Sequence, residues 1–429
     1  MLIEFSVTNF RSIRERQTLS LVSDSGREMQ QTNTVSVLED KLDLLRSAAI
    51  YGANAAGKSN LIKALQAMKN IILASAQGQR GLDLPITPYL FDEHVTQPTE
   101  FEVSIVVQQI RYQYGFIATR RQILEEWLIA YPKGRPQAWI DRRFVPEKER
   151  YQWENSEKLS GPQHIWQSAT RPNALFLSTA IQLNSLQLQP IFDWFQSTLQ
   201  IITTDRLSVD ATIRTYGEGE AKAKLVRFLQ AADFAINDVI VERSKPYEYS
   251  YFTSRRVDPL IRMLAEQPFQ QTEEIYSVKT LHRGTSGELF PLAIEEESEG
   301  TQKFFALAGP WLNAIQQGNV VVVDEMNEHL HPNLVRFLVQ TIHNPALHEQ
   351  PTQLIFTTHE TSILSQDVFR RDQIWFTEKD EFNATRLYPL SDFSPRKGVE
   401  NLEKNYLQGR YGALPYFREI TTTFDGAEP

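Results

Sequence analysis

The sequence predicts an α/β protein with a mixed sheet covered by helices, an antiparallel β subdomain and a helical lobe. Strand-like and helical segments alternate from residue 275 onward, which is typical of a parallel sheet with helices on its faces. Residues 101–131 contain three β-rich runs at short spacing, which predict an antiparallel meander. Residues 175–262 are mostly helical in pattern, and they predict the helical lobe.

The individual elements follow from local patterns along the chain. Residues 1–22 predict two short strands around the turn at residues 9–12, and Ser47–Tyr51 predicts a buried strand followed by a helix from about Ser59. Further along, the meander strands are expected at Phe101–Val107, Tyr112–Ile117 and Ile123–Tyr131, and a helix at Ala221–Phe234. The last elements are expected as a strand at Ile275–His282, a helix near Gln302–Ile315, a strand at Val320–Val323, a helix after Pro332 and a strand at Gln353–Thr357.

Composition excludes several classes of protein. The chain has 429 residues, of which 41% are hydrophobic, and it contains no cysteine. A disulfide scaffold, a cysteine-ligated zinc or iron–sulfur site and a cysteine nucleophile are therefore excluded. No apolar run approaches the ~20 residues of a membrane-spanning helix, and the first residues do not resemble a signal peptide. We expect a cytoplasmic protein without membrane contact, and the net charge of -9 disfavours general attraction to nucleic acid.

The residues Gly52-Ala53-Asn54-Ala55-Ala56-Gly57-Lys58-Ser59 fit the pattern G-x-x-x-x-G-K-[ST]. Glycines allow the backbone N–H groups to curl around phosphate oxygens, and the following helix N-terminus adds its dipole. Lys58 would reach the β- and γ-phosphates, and the Ser59 hydroxyl would bind Mg²⁺. A glycine-rich turn without a ligand is the alternative, but the strand before and the helix after favour phosphate binding. The residues expected at the nucleotide are Gly52, Asn54, Ala55, Ala56, Gly57, Lys58, Ser59 and Asn60.

A second motif joins four valines, Val320–Val323, to the carboxylates Asp324 and Glu325. Open parallel sheets bind ligands at the carboxyl ends of their strands. Asp324 would hold Mg²⁺, and Glu325 would orient or deprotonate the attacking water. Without the other motifs, the pair is equally well explained as an acidic loop after a core strand.

Two further segments are weaker evidence for a nucleotide site when each is taken by itself. Glu297–Lys303 places a hydroxyl residue and a glycine at a helix start, which is either an anion site or an ordinary capped helix. Leu354–His359 reads as a strand ending in a histidine. On a strand adjacent to the Asp-Glu strand, His359 would reach the γ-phosphate and the attacking water.

In this order, the four motifs resemble the head of ABC-type ATPases, and within them the RecF/SMC-like branch. Residues 5–12 resemble the N-terminal strand and N-F-[KR]-S turn of that branch. Ser298-x-Gly300-x-Gln302 resembles its signature motif, although Glu299 replaces the usual second glycine. Residues 326–332 resemble the stretch that lines the dimer seam, and residues 175–182 resemble the Q-loop.

Four later segments narrow the resemblance to AAA-family ATPases of bacterial abortive-infection and antiphage systems, of the RloA and PARIS type. These segments are Thr357–Glu360, Trp375–Lys379, Tyr388–Phe393 and Tyr406–Pro415.

The resemblance implies an ATPase that uses ATP and Mg²⁺, with two heads sandwiching two nucleotides. Lys58 of one protomer and Ser298, Gly300 and Gln302 of the other would contact the same ATP, so we expect a homodimer or higher homo-oligomer. Catalysis would involve Lys58, Glu325 and His359. The metal would be held by Ser59, Asp324 and Gln182, the last as the Q-loop residue. Arg11 would touch phosphate or the partner head, or it is a surface arginine on a turn.

The expected organisation is an N-terminal ATPase lobe at 1–172, a Q-loop and helical lobe at 173–274, a C-terminal ATPase lobe at 275–395 and a tail at 396–429. No sustained heptads occur, so no long coiled-coil arm is expected. The residues after His359 contain no plausible metal set of a nuclease, so nuclease activity would belong to another chain. The pattern His329-x-His331 is compatible with zinc binding, but its position after Glu325 favours a role at the dimer seam.

The sequence leaves three functions open. The first is an ATPase sensor-regulator of an antiphage system that controls a separate, co-encoded effector, a nuclease or a toxin. The second is a RecF-like repair ATPase that binds duplex DNA in an ATP-dependent manner. The third is a nucleotide-dependent clamp with negligible turnover, against which the intact Lys58, Asp324 and Glu325 argue.

Overall fold

The computed structural model of the chain describes residues 1–203, 207–244, 275–396, 398 and 400–415. The strands in chain order are β1 (Leu2–Thr8), β2 (Gln17–Ser20), β3 (Thr34–Val37), β4 (Leu42–Leu45), β5 (Ser47–Gly52), β6 (Thr99–Val107), β7 (Ile110–Ala118), β8 (Ile123–Tyr131), β9 (Gln137–Val145), β10 (Arg150–Trp153), β11 (Leu199–Ile202), β12 (Asp238–Ser244), β13 (Ile275–Arg283), β14 (Leu289–Ala293), β15 (Val320–Val323), β16 (Gln353–Thr357), β17 (Ile374–Lys379) and β18 (Thr385–Pro389). The α-helices of the described residues are α1 (Gln30–Asn33), α2 (Lys58–Ala74), α3 (Gln163–Ala169), α4 (Phe176–Gln182), α5 (Gln189–Asp193), α6 (Val209–Tyr216), α7 (Gly219–Ala231), α8 (Glu299–Gln317), α9 (Pro332–His343) and α10 (Leu402–Leu407).

The chain divides into two compact units. The first unit comprises residues 1–204, 314–328 and 335–429, and the second comprises residues 205–313 and 329–334. None of the helices in the described ranges has the length and apolar content that a membrane crossing requires.

A six-stranded mixed sheet in the first unit has the strand order β11-β15-β16-β5-β17-β18. The first five strands pair in parallel, and β18 pairs antiparallel to β17. The valines of β15 are buried throughout because a parallel sheet is covered on both faces. Since β5, β15 and β16 run in the same direction, the residues that follow them meet at one edge of the sheet.

A seven-stranded antiparallel sheet in the same unit has the order β10-β9-β8-β7-β6-β1-β2. The two predicted N-terminal strands and the predicted meander therefore share one sheet, in which β1 pairs with β6. Buried side chains of α2, of this sheet and of the parallel sheet form one hydrophobic cluster, to which Leu65, Phe101 and Ile355 belong. This confirms the predicted α/β class with a mixed sheet and an antiparallel β subdomain.

The second unit contains α6, α7 and a three-stranded antiparallel sheet of order β12-β13-β14. Phe228 of α7 stacks on Phe304 of α8 with ring centroids 5.5 Å apart. Thr212 of α6 donates its hydroxyl to the carbonyls of Phe305 and Ala306. Aromatic stacking and hydroxyl contacts thus hold α6 and α7 against the first part of α8.

The four expected segments at 1–172, 173–274, 275–395 and 396–429 stay predictions beside the two observed units. Residues 173–203 fold with the first unit because the buried carboxylate of Glu126 accepts hydrogen bonds from the backbone N–H groups of Phe176 and Leu177, at 2.6 and 3.0 Å. Part of the expected lobe at 173–274 and part of the expected tail at 396–429 lie outside the described residues. The segment 175–262, expected to be mostly helical, also contains the strands β11 and β12.

Candidate nucleotide site

The P-loop, residues 52–59, connects β5 to α2 and carries the G-x-x-x-x-G-K-S residues. Gly57 has φ 107°, and a Cβ atom there would lie 2.0 Å from Oγ1 of Thr385. A Cβ atom on Gly52 would lie 2.4 Å from the backbone carbonyl oxygen of Thr377. Both positions therefore require glycine, because only a residue without a side chain permits this close approach.

Lys58, the first residue of α2, is buried, and its Nζ donates to the carbonyls of Gly52 and Ala53 at 2.9 and 3.1 Å. Burial lowers the pKa of the Lys58 ammonium to about 8, while Glu325 and Asp324 oppose this shift. The ammonium group thus lies against the carbonyls of its own loop, in a position to bind an anion. Lys58 and Ser59 also begin α2, and the first turn of a helix leaves N–H donors without intrahelical partners.

The predicted Mg²⁺ ligands Ser59 and Asp324 meet directly. The Ser59 hydroxyl donates to Oδ1 of Asp324 at 3.1 Å, although the two residues lie far apart in sequence. By donating its proton, the hydroxyl keeps its lone pairs free for a cation. A serine hydroxyl beside a carboxylate is the oxygen donor set that Mg²⁺ prefers in nucleotide sites, so these residues fit the ion.

Glu325 and His359 reach the same place from the ends of β15 and β16. Glu325 has a left-handed backbone with φ 49°, and its N–H donates to Oγ1 of Thr357 at 2.7 Å. Burial and the neighbouring Lys58 lower the pKa of His359, so its imidazole is neutral at pH 7. A neutral imidazole can accept a hydrogen bond from water or donate one to phosphate.

These residues surround one cavity of about 580 Å³ in the first unit. Its walls are formed by Asn54, Ala55, Gly57, Lys58, Ser59, Asn60, Glu325, Asn327, Glu328 and His359. A cavity of this size lies within the usual range of small-ligand sites, about 300–1,000 Å³.

The remaining P-loop residues take supporting positions. The buried Ala56 accepts a hydrogen bond on its carbonyl from Oγ1 of Thr385 at 3.0 Å. Asn60 lines the cavity, but its side-chain amide donates to the Ser12 hydroxyl at 2.7 Å. Asn60 is therefore tied to the N-terminal turn as well as to the cavity.

Arg11 and Gln182 are not among the described residues that line the cavity. Arg11 is exposed on the N-F-R-S turn, its N–H donates to Thr87 at 2.7 Å, and its guanidinium lies 5.7 Å from the Phe10 ring centroid. Gln182 is exposed at the last position of α4. Contact of Arg11 with phosphate or a partner head, and of Gln182 with metal, stays a prediction.

The signature-like residues belong to the second unit and begin α8. Oγ of the exposed Ser298 accepts the N–H of Thr301 at 3.2 Å, and Gln302 donates its side-chain amide to the carbonyl of Glu297 at 2.8 Å. A Cβ atom on Gly300 would lie 2.8 Å from the carbonyl oxygen of His329. The roles of Ser298, Gly300 and Gln302 at a nucleotide stay predictions.

Glu299, the departure from the usual glycine, pairs with a histidine of the second unit. Its Oε2 lies 3.0 Å from Nδ1 of His329. His331 accepts the N–H of Asn333 on its Nδ1 at 3.2 Å, which caps the start of α9. Both histidines of the His-x-His pair thus have protein partners.

Sequence reasoning missed four residues that hold the site together: Ser12, Asn327, Thr357 and Thr385. Asn327 accepts on its Oδ1 both the Thr358 hydroxyl at 3.0 Å and the His359 N–H at 3.1 Å. No spacing rule marks Ser12 or Thr385 as neighbours of the P-loop. Thr357 and Thr358, directly before His359, are a signal for site residues in the sequence, because hydroxyls at the end of this strand face the site.

The fold and the cavity together define a P-loop nucleotide-binding domain. A family model described as "AAA domain, putative AbiEii toxin, Type IV TA system" matches residues 47–365, which is more than half of the chain. The chain belongs to this family of AAA domains. Among curated proteins, none matches the sequence.

Two solved structures are similar to the chain over most of its length. One is the SMC head domain from Thermotoga maritima, with 12% identity and a TM-score of 0.39, covering 90% of this chain and 98% of that one. The other is the SMC head bound to the C-terminal winged-helix domain of ScpA, with 12% identity and a TM-score of 0.38, covering 90% and 97%. Similarity at this level supports no correspondence of residues or of function.

Proposed function

We propose that this chain is an ABC-type ATPase that binds and hydrolyses ATP. The observation that supports it best is the contact of Ser59 with Asp324, 3.1 Å apart, at a cavity that Ser59 lines together with Lys58, Glu325 and His359. These are the groups needed to bind a triphosphate, orient a water and accept its proton.

Each residue has a distinct role in this proposal. Lys58 leaves its carbonyl partners and donates to the β- and γ-phosphate oxygens. Ser59 and Asp324 would hold Mg²⁺, which would neutralise part of the phosphate charge. Glu325 orients the water and accepts its proton, and His359 donates to the γ-phosphate.

The ATPase proposal is tested with Glu325→Gln and Lys58→Ala. E325Q should bind ATP normally and hydrolyse it roughly 10²–10⁴-fold more slowly, because it keeps the shape and loses the base. K58A should lose binding itself. Glu349→Gln, at an exposed position outside the cavity, serves as the control. Equal, near-zero turnover of wild type and E325Q would instead favour the hypothesis of a nucleotide-dependent clamp with negligible turnover.

We further propose that two copies close on two ATP molecules, with Ser298 of one facing the nucleotide of the other. The exposed position of Ser298 at the start of the long helix α8 supports this, because a helix N-terminus stabilises an anion. E325Q with ATP and Mg²⁺ should sediment as a dimer, and E325Q/Ser298→Arg should stay monomeric. A dimer that persists in the double variant would contradict the role of Ser298.

The biological role we propose is that of a sensor-regulator in a bacterial antiphage system, acting on a separate effector. The family description, which names a toxin of a toxin–antitoxin system, supports a role in such systems. Purification of the tagged chain from its own locus, with co-purifying chains identified by mass, tests this. A stoichiometric nuclease or toxin is the expected result. Recovery with DNA alone would favour the repair ATPase, and growth arrest by this chain alone would place the toxic activity in it.

A further inference from the structure

We propose that Thr357 is a positioning residue that sets the geometry of both acidic residues of the site, and this inference rests on the proposed ATPase function. The threonine ends β16, and its side chain is fully buried. Its single hydroxyl contacts both members of the Asp324–Glu325 pair.

The first contact orients the metal-binding carboxylate. Oγ1 of Thr357 donates to Oδ1 of Asp324 at 2.6 Å, and Oγ of Ser59 donates to the same oxygen at 3.1 Å. With both donors on Oδ1, the carboxylate is fixed in rotation and its other oxygen is left for the cation or a cation-bound water. Groups that orient a metal ligand in this way typically contribute 10–100-fold to metal affinity or activity.

The second contact holds a strained backbone. The N–H of Glu325 donates to the same Thr357 hydroxyl at 2.7 Å, and the N–H of Met326 donates to the Thr357 carbonyl at 3.0 Å. Glu325 has φ 49°, a left-handed conformation that a glutamate rarely adopts. Such conformations persist only where neighbouring contacts enforce them. Thr357 therefore keeps Glu325 turned into the cavity.

The two contacts depend on each other through one oxygen. Because a hydroxyl has a single proton, donating it to Asp324 leaves only lone pairs to accept the N–H of Glu325. Replacement by valine removes both contacts at once with little change in shape, whereas serine keeps the hydroxyl. The valine variant should lose metal affinity and turnover together, and the serine variant should retain both.

The test measures ATP turnover against Mg²⁺ concentration for wild type, Thr357→Val and Thr357→Ser. T357V should raise the half-saturating Mg²⁺ concentration and lower kcat, each roughly tenfold or more, with ATP affinity in the absence of metal unchanged. T357S should stay within about threefold of wild type. Thr352→Val is the matched control. Thr352 directly precedes β16, and its buried hydroxyl donates to the carbonyl oxygen of Ala314. T352V should lower thermal stability without moving the Mg²⁺ dependence.

The outcomes separate this inference from the proposed function. Absence of turnover in the wild type would overturn the ATPase proposal itself. Wild-type turnover with an unchanged Mg²⁺ dependence in T357V would overturn the role of Thr357 alone. An equal shift in T352V would show that loss of any buried hydroxyl of this strand has the same effect, and would also overturn it.

Discussion

The side-chain amide of Asn60 donates to the hydroxyl of Ser12 at 2.7 Å. Ser12 also shares a 2.7 Å hydrogen bond with Thr385, whose hydroxyl donates to the carbonyl of Ala56 in the P-loop. A turn near the N-terminus, the P-loop helix and the antiparallel edge strand β18 of the mixed sheet are thus joined by two hydroxyls and an amide. Ser12 and Thr385, which are remote from the P-loop in sequence, therefore stabilise its position.

Ser12→Ala should therefore weaken nucleotide binding. Loss of a hydrogen bond of this kind costs about 1 kcal/mol, which corresponds to roughly fivefold in Kd for a fluorescent ATP analogue. Ser6→Ala is the control, because it removes a buried hydroxyl that pairs with Thr18 in the same hairpin at 2.8 Å. Equal affinities of S12A and S6A would show that the turn does not support the loop.

Nucleotide affinity should fall as the pH rises through about 8. The pKa of Lys58 in the free site is about 8, lowered by burial, so above that pH the amine loses its proton and its attraction for phosphate. Binding then requires proton uptake, which calorimetry at pH 8.5 in buffers of different ionisation enthalpy detects. Lys63→Ala, exposed on the same helix, should keep this profile. Constant affinity from pH 7 to 9.5 would refute the assignment.

Gly57→Ala should abolish nucleotide binding, because a Cβ atom would overlap Thr385 at 2.0 Å. The fair comparison is Gly81→Ala, where φ is also positive at 83° but nothing lies within 4 Å of a Cβ atom. G81A should cost only the backbone strain, about 1–2 kcal/mol, and keep its affinity. If both variants bind equally well, crowding against Thr385 does not matter.

Asn327→Ala should lower kcat about tenfold and leave ATP affinity within about twofold, since outer contacts of this kind act on positioning. The variant removes the acceptor that holds Thr358 and the backbone of His359. Asn344→Ala removes a comparable cap, to Ala346 at 3.1 Å, outside the cavity, and should leave kcat unchanged. A change in affinity without a change in kcat would contradict positioning of His359.

Arg142→Met should destabilise the protein strongly. The Arg142 guanidinium lies 3.5 Å from the carboxylate of Glu126, and both side chains are fully buried. Leaving a buried charge uncompensated costs about 3–5 kcal/mol, measurable by urea unfolding. The double variant Glu126→Gln/Arg142→Met should recover part of this loss.

The pH dependence of R142M gives a second check on the same pair. Burial raises the pKa of Glu126, and removal of Arg142 raises it further. An acid whose folded-state pKa is raised favours the folded state at low pH and loses that advantage as pH rises through the folded pKa. The stability deficit of R142M should therefore shrink as the pH is lowered. A deficit that grows on acidification would contradict the assignment.

The parallel sheet and the P-loop could be predicted because their signals are local. Val320–Val323 and Leu354–Phe356 are apolar runs followed directly by polar residues, and the P-loop follows a fixed spacing. By contrast β11, only four residues long, forms through parallel pairing with β15. No short-range pattern marks Leu199–Ile202 as a strand.

The main catalytic and metal-binding candidates could be proposed from the sequence for the same reason, whereas the residues that contact them could not. Lys58, Ser59, Asp324, Glu325 and His359 are identified by type and position. Thr357 and Asn327 act through single hydrogen bonds, which depend on the register of β15 against β16. That register is a property of the folded sheet and is absent from any one segment.

The position of β5 in its sheet has a consequence for the making of the protein. Its neighbours on both sides, β16 and β17, are synthesised only after residue 352. A ribosome that has translated the P-loop must therefore still complete most of the chain before either edge of this strand, which is buried throughout in the folded sheet, can pair. Unpaired strand edges are sites of intermolecular association, so slow translation or truncation upstream of β16 should send nascent chains toward chaperones and aggregates.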